Sequence, residues 1–231
     1  MRIARVRLSA PAGTAPALAA FYGGTLGLAV ASAQDDSVRV RVGESELVFV
    51  EDDGTPFYHL ALLVPGDRFE AALAWARERV ELLPDADTGE EVFDFGFWDG
   101  TAVYLHDPAG SILELIAHRG MEEQGRDGPF APEELVGISE IGLVGDTGAL
   151  AAALAQGLGL ELWDGAAGVD GRLAFVGEKA RTLILCPPGR GWLPTGRPAE
   201  PHPVAVELDG VGMGVAALPD GQRVSGAGTG L

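Results

Sequence analysis

The chain has 231 residues, 47% of them hydrophobic, which is enough for one large or two small domains with a sizeable core. Its 34 acidic residues outnumber 16 basic ones, for a formal charge of −18. A surface that acidic repels phosphate backbones and anionic headgroups, so neither nucleic-acid nor membrane partners are expected. The single cysteine, Cys186, has no partner within the chain, which excludes a disulfide framework and fits a reducing, cytoplasmic setting.

Met1 to Leu8 alternates arginine with apolar residues and reads as a strand, not as a secretion signal. No apolar run approaches the ~18 residues of a membrane span. Leu18, Phe21, Tyr22 and Leu26 follow at helical spacing, then strand-like runs at Val38 to Val42 and Leu47 to Val50. A second unit opens with the strand His59 to Val64. Its helix carries Phe69, Ala72, Leu73, Ala76 and Val80 on one face, and strand-like runs follow at Glu91 to Phe95, Thr101 to His106 and Ser111 to Ala117. Met121 to Glu134 is charged and contains Gly and Pro, so it reads as a linker.

Beyond the linker the first unit recurs. Thr25-Leu26-Gly27-Leu28 returns as Gly157-Leu158-Gly159-Leu160, and Val42-Gly43-Glu44 as Val176-Gly177-Glu178, at nearly the same offset. The helical face of this third unit is Leu150, Leu154 and Leu158, and its strands are Arg172 to Val176 and Leu183 to Cys186. A fourth unit is mostly missing: Val204 to Leu208 could open it, and Pro219-Asp220-Gly221 predicts a hairpin. The expected domains are 1–120, a linker at 121–135, and a partial copy at 136–231.

Two motifs sharpen this pattern. One is Phe21-Tyr22 followed by Leu26-Gly27-Leu28; the other is Tyr104-x-x-Asp107-Pro108-x-Gly110-x-x-x-Glu114. With the repeats, they resemble the vicinal oxygen chelate superfamily, which includes glyoxalase I, extradiol dioxygenases and the bleomycin-resistance proteins. The resemblance covers residues 2–118 well and 137–187 more weakly. It implies an α+β fold of tandem βαβββ modules forming a cup-shaped open barrel, with a truncated second copy. In the turn Asp107-Pro108-Ala109-Gly110, proline supplies φ near −65° and glycine tolerates a positive φ, so a tight hairpin is expected. Alternation then puts Tyr104 and Glu114 on the cup side.

The family takes metal ligands from the first strand of each module and the last strand of the second. On this sequence His59 matches the histidine and Glu114 the carboxylate. The last strand of module one offers Phe49 or Glu51. The first-strand position holds Arg5 or Arg7, and a guanidinium has no lone pair for a metal. Either arginine could instead neutralise Glu114, which would be costly to bury unpaired. The implied cofactor is one divalent metal, Zn, Fe, Mn or Ni, in a site that this arginine would leave incomplete.

Glu140 occupies the first-strand position of the third unit and His202 lies near that of the fourth, but without a full fourth unit no second metal cup is expected. Two readings follow. One is a metal-dependent lyase, isomerase or dioxygenase acting on a small oxygen-rich or anionic molecule, with Tyr104 as hydrogen-bond donor or general acid. The other is a metal-free protein that sequesters such a molecule through Arg5, Arg7, Phe97 and Trp98. The extradiol dioxygenases place a histidine several residues before the tyrosine. Here that window reads Phe95-Gly96-Phe97, so this acid/base partner does not carry over. The expected partner is a small-molecule ligand, and a homodimer is left open.

Overall fold

The structure is a computed structural model that describes residues 1–34 and 36–228. The first module comprises β1 (Arg2–Pro11), α1 (Ala15–Ala19, continuing as a wider helical turn through Thr25), β2 (Ala29–Gln34), β3 (Ser37–Val42) and β4 (Ser45–Asp52). The second comprises β5 (His59–Val64), α2 (Phe69–Arg77), β6 (Phe93–Phe95), β7 (Gly100–His106) and β8 (Ile112–His118). The third comprises β9 (Gly137–Val144), α3 (Thr147–Leu158), β10 (Leu162–Gly165), β11 (Ala174–Glu178) and β12 (Arg181–Cys186). A short hairpin follows, β13 (Gly191–Trp192) with β14 (Arg197–Pro198). The fourth unit is a strand and a hairpin: β15 (Val204–Asp209), β16 (Gly214–Ala217) and β17 (Arg223–Gly226).

The repeated motifs have a backbone cause. Gly27 and Gly159 sit at φ 71° and 66°, just beyond the first and third helices. That left-handed conformation strains any residue with a Cβ, so Leu-Gly-Leu marks each helix end. Gly43 likewise has positive φ in the turn that follows β3, and Gly177 has positive φ near the end of β11. At the start of α3, Asp146 accepts a hydrogen bond from the amide of Ala149 at 2.8 Å. Leu150, Leu154 and Leu158 of that helix are buried. Each contributes roughly 1.5–3 kcal/mol by leaving water.

Within each of the first three modules the last strand returns parallel to the first: β4 on β1, β8 on β5, β12 on β9. Between modules the pairing is antiparallel. β5 pairs with β9, and β1 with β15. Modules two and three therefore form one cup, and module one shares another with the fourth unit. This corrects the expected placement of a single cup within residues 2–118.

The segment between β8 and β9 shows why. It is no free spacer. The buried Arg68 guanidinium donates to Glu134 at 2.7 Å and to the carbonyls of Arg126 and Gly128 at 3.0 and 2.9 Å. The Asp67 carboxylate accepts from the amide of Gly125 at 2.7 Å. The amide of Val136 then donates to the carbonyl of Leu63 at 2.9 Å. These bonds turn the chain back and bring β9 to the free edge of β5. β1 and β9 touch only at Ile3 and Ile138. All six residues of β5 are buried, between the helix-side core and the apolar lining of the cup formed by modules two and three.

Candidate metal centre

Register builds the site. On β5, Ala61 pairs with Glu114 of β8 along one edge and with Glu140 of β9 along the other. All three residues point to the cup face, so the two carboxylates stand on either side of a methyl group. His59, two residues before Ala61, shares that face by strand alternation. The ligand atoms of His59, Glu114 and Glu140 all lie within 4.8 Å of one another, and all three side chains are buried. His59 Nε2 is 3.1 Å from a Glu114 oxygen. The other imidazole nitrogen, Nδ1, is buried without a hydrogen-bond partner.

Two buried carboxylates this close repel one another. Burial, and then the charge of Glu114, push the Glu140 carboxyl well above the usual carboxylate range. Among the described residues no lysine or arginine forms an ion pair with either glutamate, and His59 is the one basic partner of Glu114. An imidazole and two carboxylates around a shared point form a donor set for a divalent cation, and their charges would balance it. The residues present fit a divalent metal. The donor types do not select among Zn, Fe, Mn and Ni.

The rest of the cup is aromatic. The indole of Trp192 stacks on His59 with centroids 4.8 Å apart and planes 7° apart. Tyr104 stands directly across from Glu114 on β7, and Phe93 meets its ring edge-on at 4.9 Å. Burial, then the charges of Glu114 and Glu140, raise the Tyr104 phenol well above its usual range. Trp98 packs edge-on to Phe175 at 4.4 Å and donates to Asp164 at 2.7 Å. Phe97 projects at the rim, 74% exposed. The metal-site triad, Tyr104 and the rings of Trp98, Phe175 and Trp192 line, with Arg172 and Arg190, a cavity of about 440 Å³.

Of the residues expected from sequence, His59, Glu114, Tyr104, Phe97 and Trp98 share this cavity. Arg5, Arg7 and Glu51 do not. Arg5 donates to Glu46 at 2.6 Å and to Glu207 at 3.0 Å in the other cup, which Arg7 also lines. Neither reaches Glu114, because β1 pairs with β4 and β15 and never with β5. Glu51 accepts from the amide of Ala15 at 2.7 Å at the start of α1. Phe49, the alternative to Glu51, is buried in the helix-side core.

The residue left out of the site was Glu140. Its first-strand position was legible, but not the cup it faces. His202 lies apart from the glutamates, packed edge-on against Phe57 and Tyr58.

The comparisons with known proteins agree with this architecture. No family model matches the sequence, and no curated protein does. Among solved structures, a candidate dioxygenase from Bacillus subtilis subsp. subtilis str. 168 aligns over 98% of this chain and 85% of its own, at 16% identity and TM-score 0.55. Glyoxalase I from Zea mays aligns over 97% of this chain and 91% of its own, at 14% identity and TM-score 0.55. At that identity the likeness concerns the fold. The chain has a glyoxalase-like fold. Among the described residues, no helix is long and apolar enough to cross a membrane.

Proposed function

We propose that the cup between modules two and three holds one divalent metal on His59, Glu114 and Glu140. We further propose that the protein is a metal-dependent lyase, isomerase or dioxygenase acting on a small oxygen-rich molecule. The carrying observation is the triad itself: two buried glutamates converge over Ala61 and, among the described residues, no lysine or arginine pairs with them.

Pseudo-symmetry indicates where a substrate would enter. Glu114 lies opposite Ala61, two residues beyond His59. The matching position on β12 lies opposite Gly142, two residues beyond Glu140, and is Ile184. A fourth protein ligand is thereby replaced by an apolar wall that lines the cavity, which leaves metal positions open to substrate oxygens.

A bound metal would supply Lewis acidity, polarising substrate oxygens and stabilising developing negative charge. The chain's own residues do the remainder. Tyr104 keeps its proton at neutral pH and donates a hydrogen bond, or the proton itself, toward that oxygen. Phe95, Trp98, Phe175 and Trp192 form walls suited to a flat apolar body, and they exclude water. Arg190 donates to the carbonyls of Gly171 and Gly191 at 3.2 and 3.0 Å and forms no ion pair among the described residues. With Arg172 it suits a substrate carrying an anionic group. The reading as a metal-free binder rested on a guanidinium at the first-strand ligand position. Glu140 stands at that position in this cup, which supports the metal reading over it.

Metal analysis tests the proposal. Purified protein, stripped and then offered Mn, Fe, Ni or Zn in turn, should take up one equivalent of at least one of them. His59→Ala and Glu140→Gln should take up much less. Absence of stoichiometric uptake of all four would sink the metal reading and the enzyme reading with it.

A further inference from the structure

The second cup, shared by module one and the fourth unit, has a different chemistry. Strand register draws a single row across it. Arg39 of β3 pairs with Val48 of β4, Val48 with Arg7 of β1, Arg7 with Ala205 of β15, and Ala205 with Arg223 of β17. Arginine therefore alternates with a small or apolar residue over five neighbouring strands. Strands lie about 4.8 Å apart, so successive arginine Cα atoms are roughly 10 Å apart along this row. All five residues, together with Arg5 and Glu207, line one cavity of about 480 Å³.

The charges in this cavity do not cancel. Glu46 and Glu207 both pair with Arg5, and Glu46 also lies 3.6 Å from Arg39. Arg7 and Arg223 form no ion pair among the described residues. Four of the 16 basic residues of a chain carrying 34 acidic ones thus line one cavity. A merely solvated strand face in so acidic a protein would draw its own carboxylates onto these guanidiniums. The two carboxylates present are instead spent on Arg5 and Arg39, leaving the centre of the row cationic. Guanidinium offers planar paired donors that match carboxylate and phosphoryl oxygens, and the methyl of Ala205 leaves room between Arg7 and Arg223.

We infer that this second cup is a binding site for a small polyanion, a compound with at least two phosphoryl or carboxylate groups, held by Arg7 and Arg223 with Arg39 at the flank. The site is separate from the metal cup and does not depend on the function proposed for it. The overall charge of −18 repels anions in general, so binding here reports the local cluster and not a diffuse field.

The test is calorimetric titration of metal-stripped protein with inorganic pyrophosphate at low ionic strength. One saturable equivalent is expected, weakening as salt is added. The double variant Arg7→Gln/Arg223→Gln should lose affinity by about tenfold or more, since each lost guanidinium removes charge-assisted hydrogen bonds. Ala205→Glu keeps both arginines and places a carboxylate between them, so it should weaken binding as much even if the double variant folds poorly. His59→Ala should leave binding unchanged. Three results would overturn the inference: no saturable binding, equal affinity in Ala205→Glu, or loss of binding in His59→Ala, which would put the anion in the metal cup.

Discussion

Replacing Glu140 by glutamine should move two properties in opposite directions. The ligand atoms of Glu114 and Glu140 lie within 4.8 Å, and both residues are buried. At an effective dielectric constant near 20, two like charges at that distance repel by about 3.5 kcal/mol. Metal-free protein carries this cost, less what His59 recovers by its contact with Glu114 and what protonation of Glu140 relieves. Glutamine has nearly the same shape, removes one charge and offers an amide donor to Glu114. The metal-free variant should therefore be more stable by about 2 kcal/mol, which for a chain of this size raises Tm by about 4–8 °C. The same change leaves a divalent ion with one carboxylate where two balanced it, and metal affinity should fall by roughly a hundredfold. Differential scanning calorimetry of wild type and variant, each stripped with chelator and then titrated with metal, reads both effects. A variant that melts no higher than wild type without metal, yet gains as much as wild type from metal, would refute the reasoning.

Three further outcomes are expected. Ala61→Leu fills the floor on which the two carboxylates converge; it should abolish metal uptake and cost about 1–3 kcal/mol through overpacking, as read by denaturant titration with metal analysis. Trp192 stacks on His59, so binding of a paramagnetic ion such as Co should quench tryptophan emission, and Trp192→Phe should remove most of the change. Should the quenching persist undiminished, the metal is not beside His59. Asp107 accepts from the amides of Ala109 and Ser111 and from the Tyr22 hydroxyl, yet burial outweighs these donors and pushes its carboxyl up to about 6. An unfolded aspartate titrates near ~3.9, so the folded state holds this proton more tightly. Its contribution is complete below about pH 4 and is lost as the pH rises through about 6, a change of roughly 3 kcal/mol. Urea midpoints across that window should fall for wild type and stay flatter for Asp107→Asn.

Much of this protein is written in local sequence. The recurring Leu-Gly-Leu and Val-Gly-Glu segments marked helix ends and turns, because Gly27, Gly159, Gly43 and Gly177 adopt positive φ that other residues resist. Strand alternation put Tyr104 and Glu114 on one face, and the structure pairs them directly. These features depend on the chain within a few residues, so periodicity and turn chemistry suffice to read them. The choice of partner between modules is of another kind. The opening strands β1, β5, β9 and β15 offer similar apolar edges, and any two could pair without disturbing a local pattern. What selects β5 with β9 is the fold-back of residues 119–136, fixed by Arg68 on Glu134 and by Val136 on Leu63. That choice brings Glu140 to His59 and Glu114, and it carries Arg5 and Arg7 away to a different cup. A carboxylate or a guanidinium looks the same in sequence whichever strand it will face; only tertiary pairing decides which charges share a low-dielectric cavity, and with that which cup can balance a cation and which an anion.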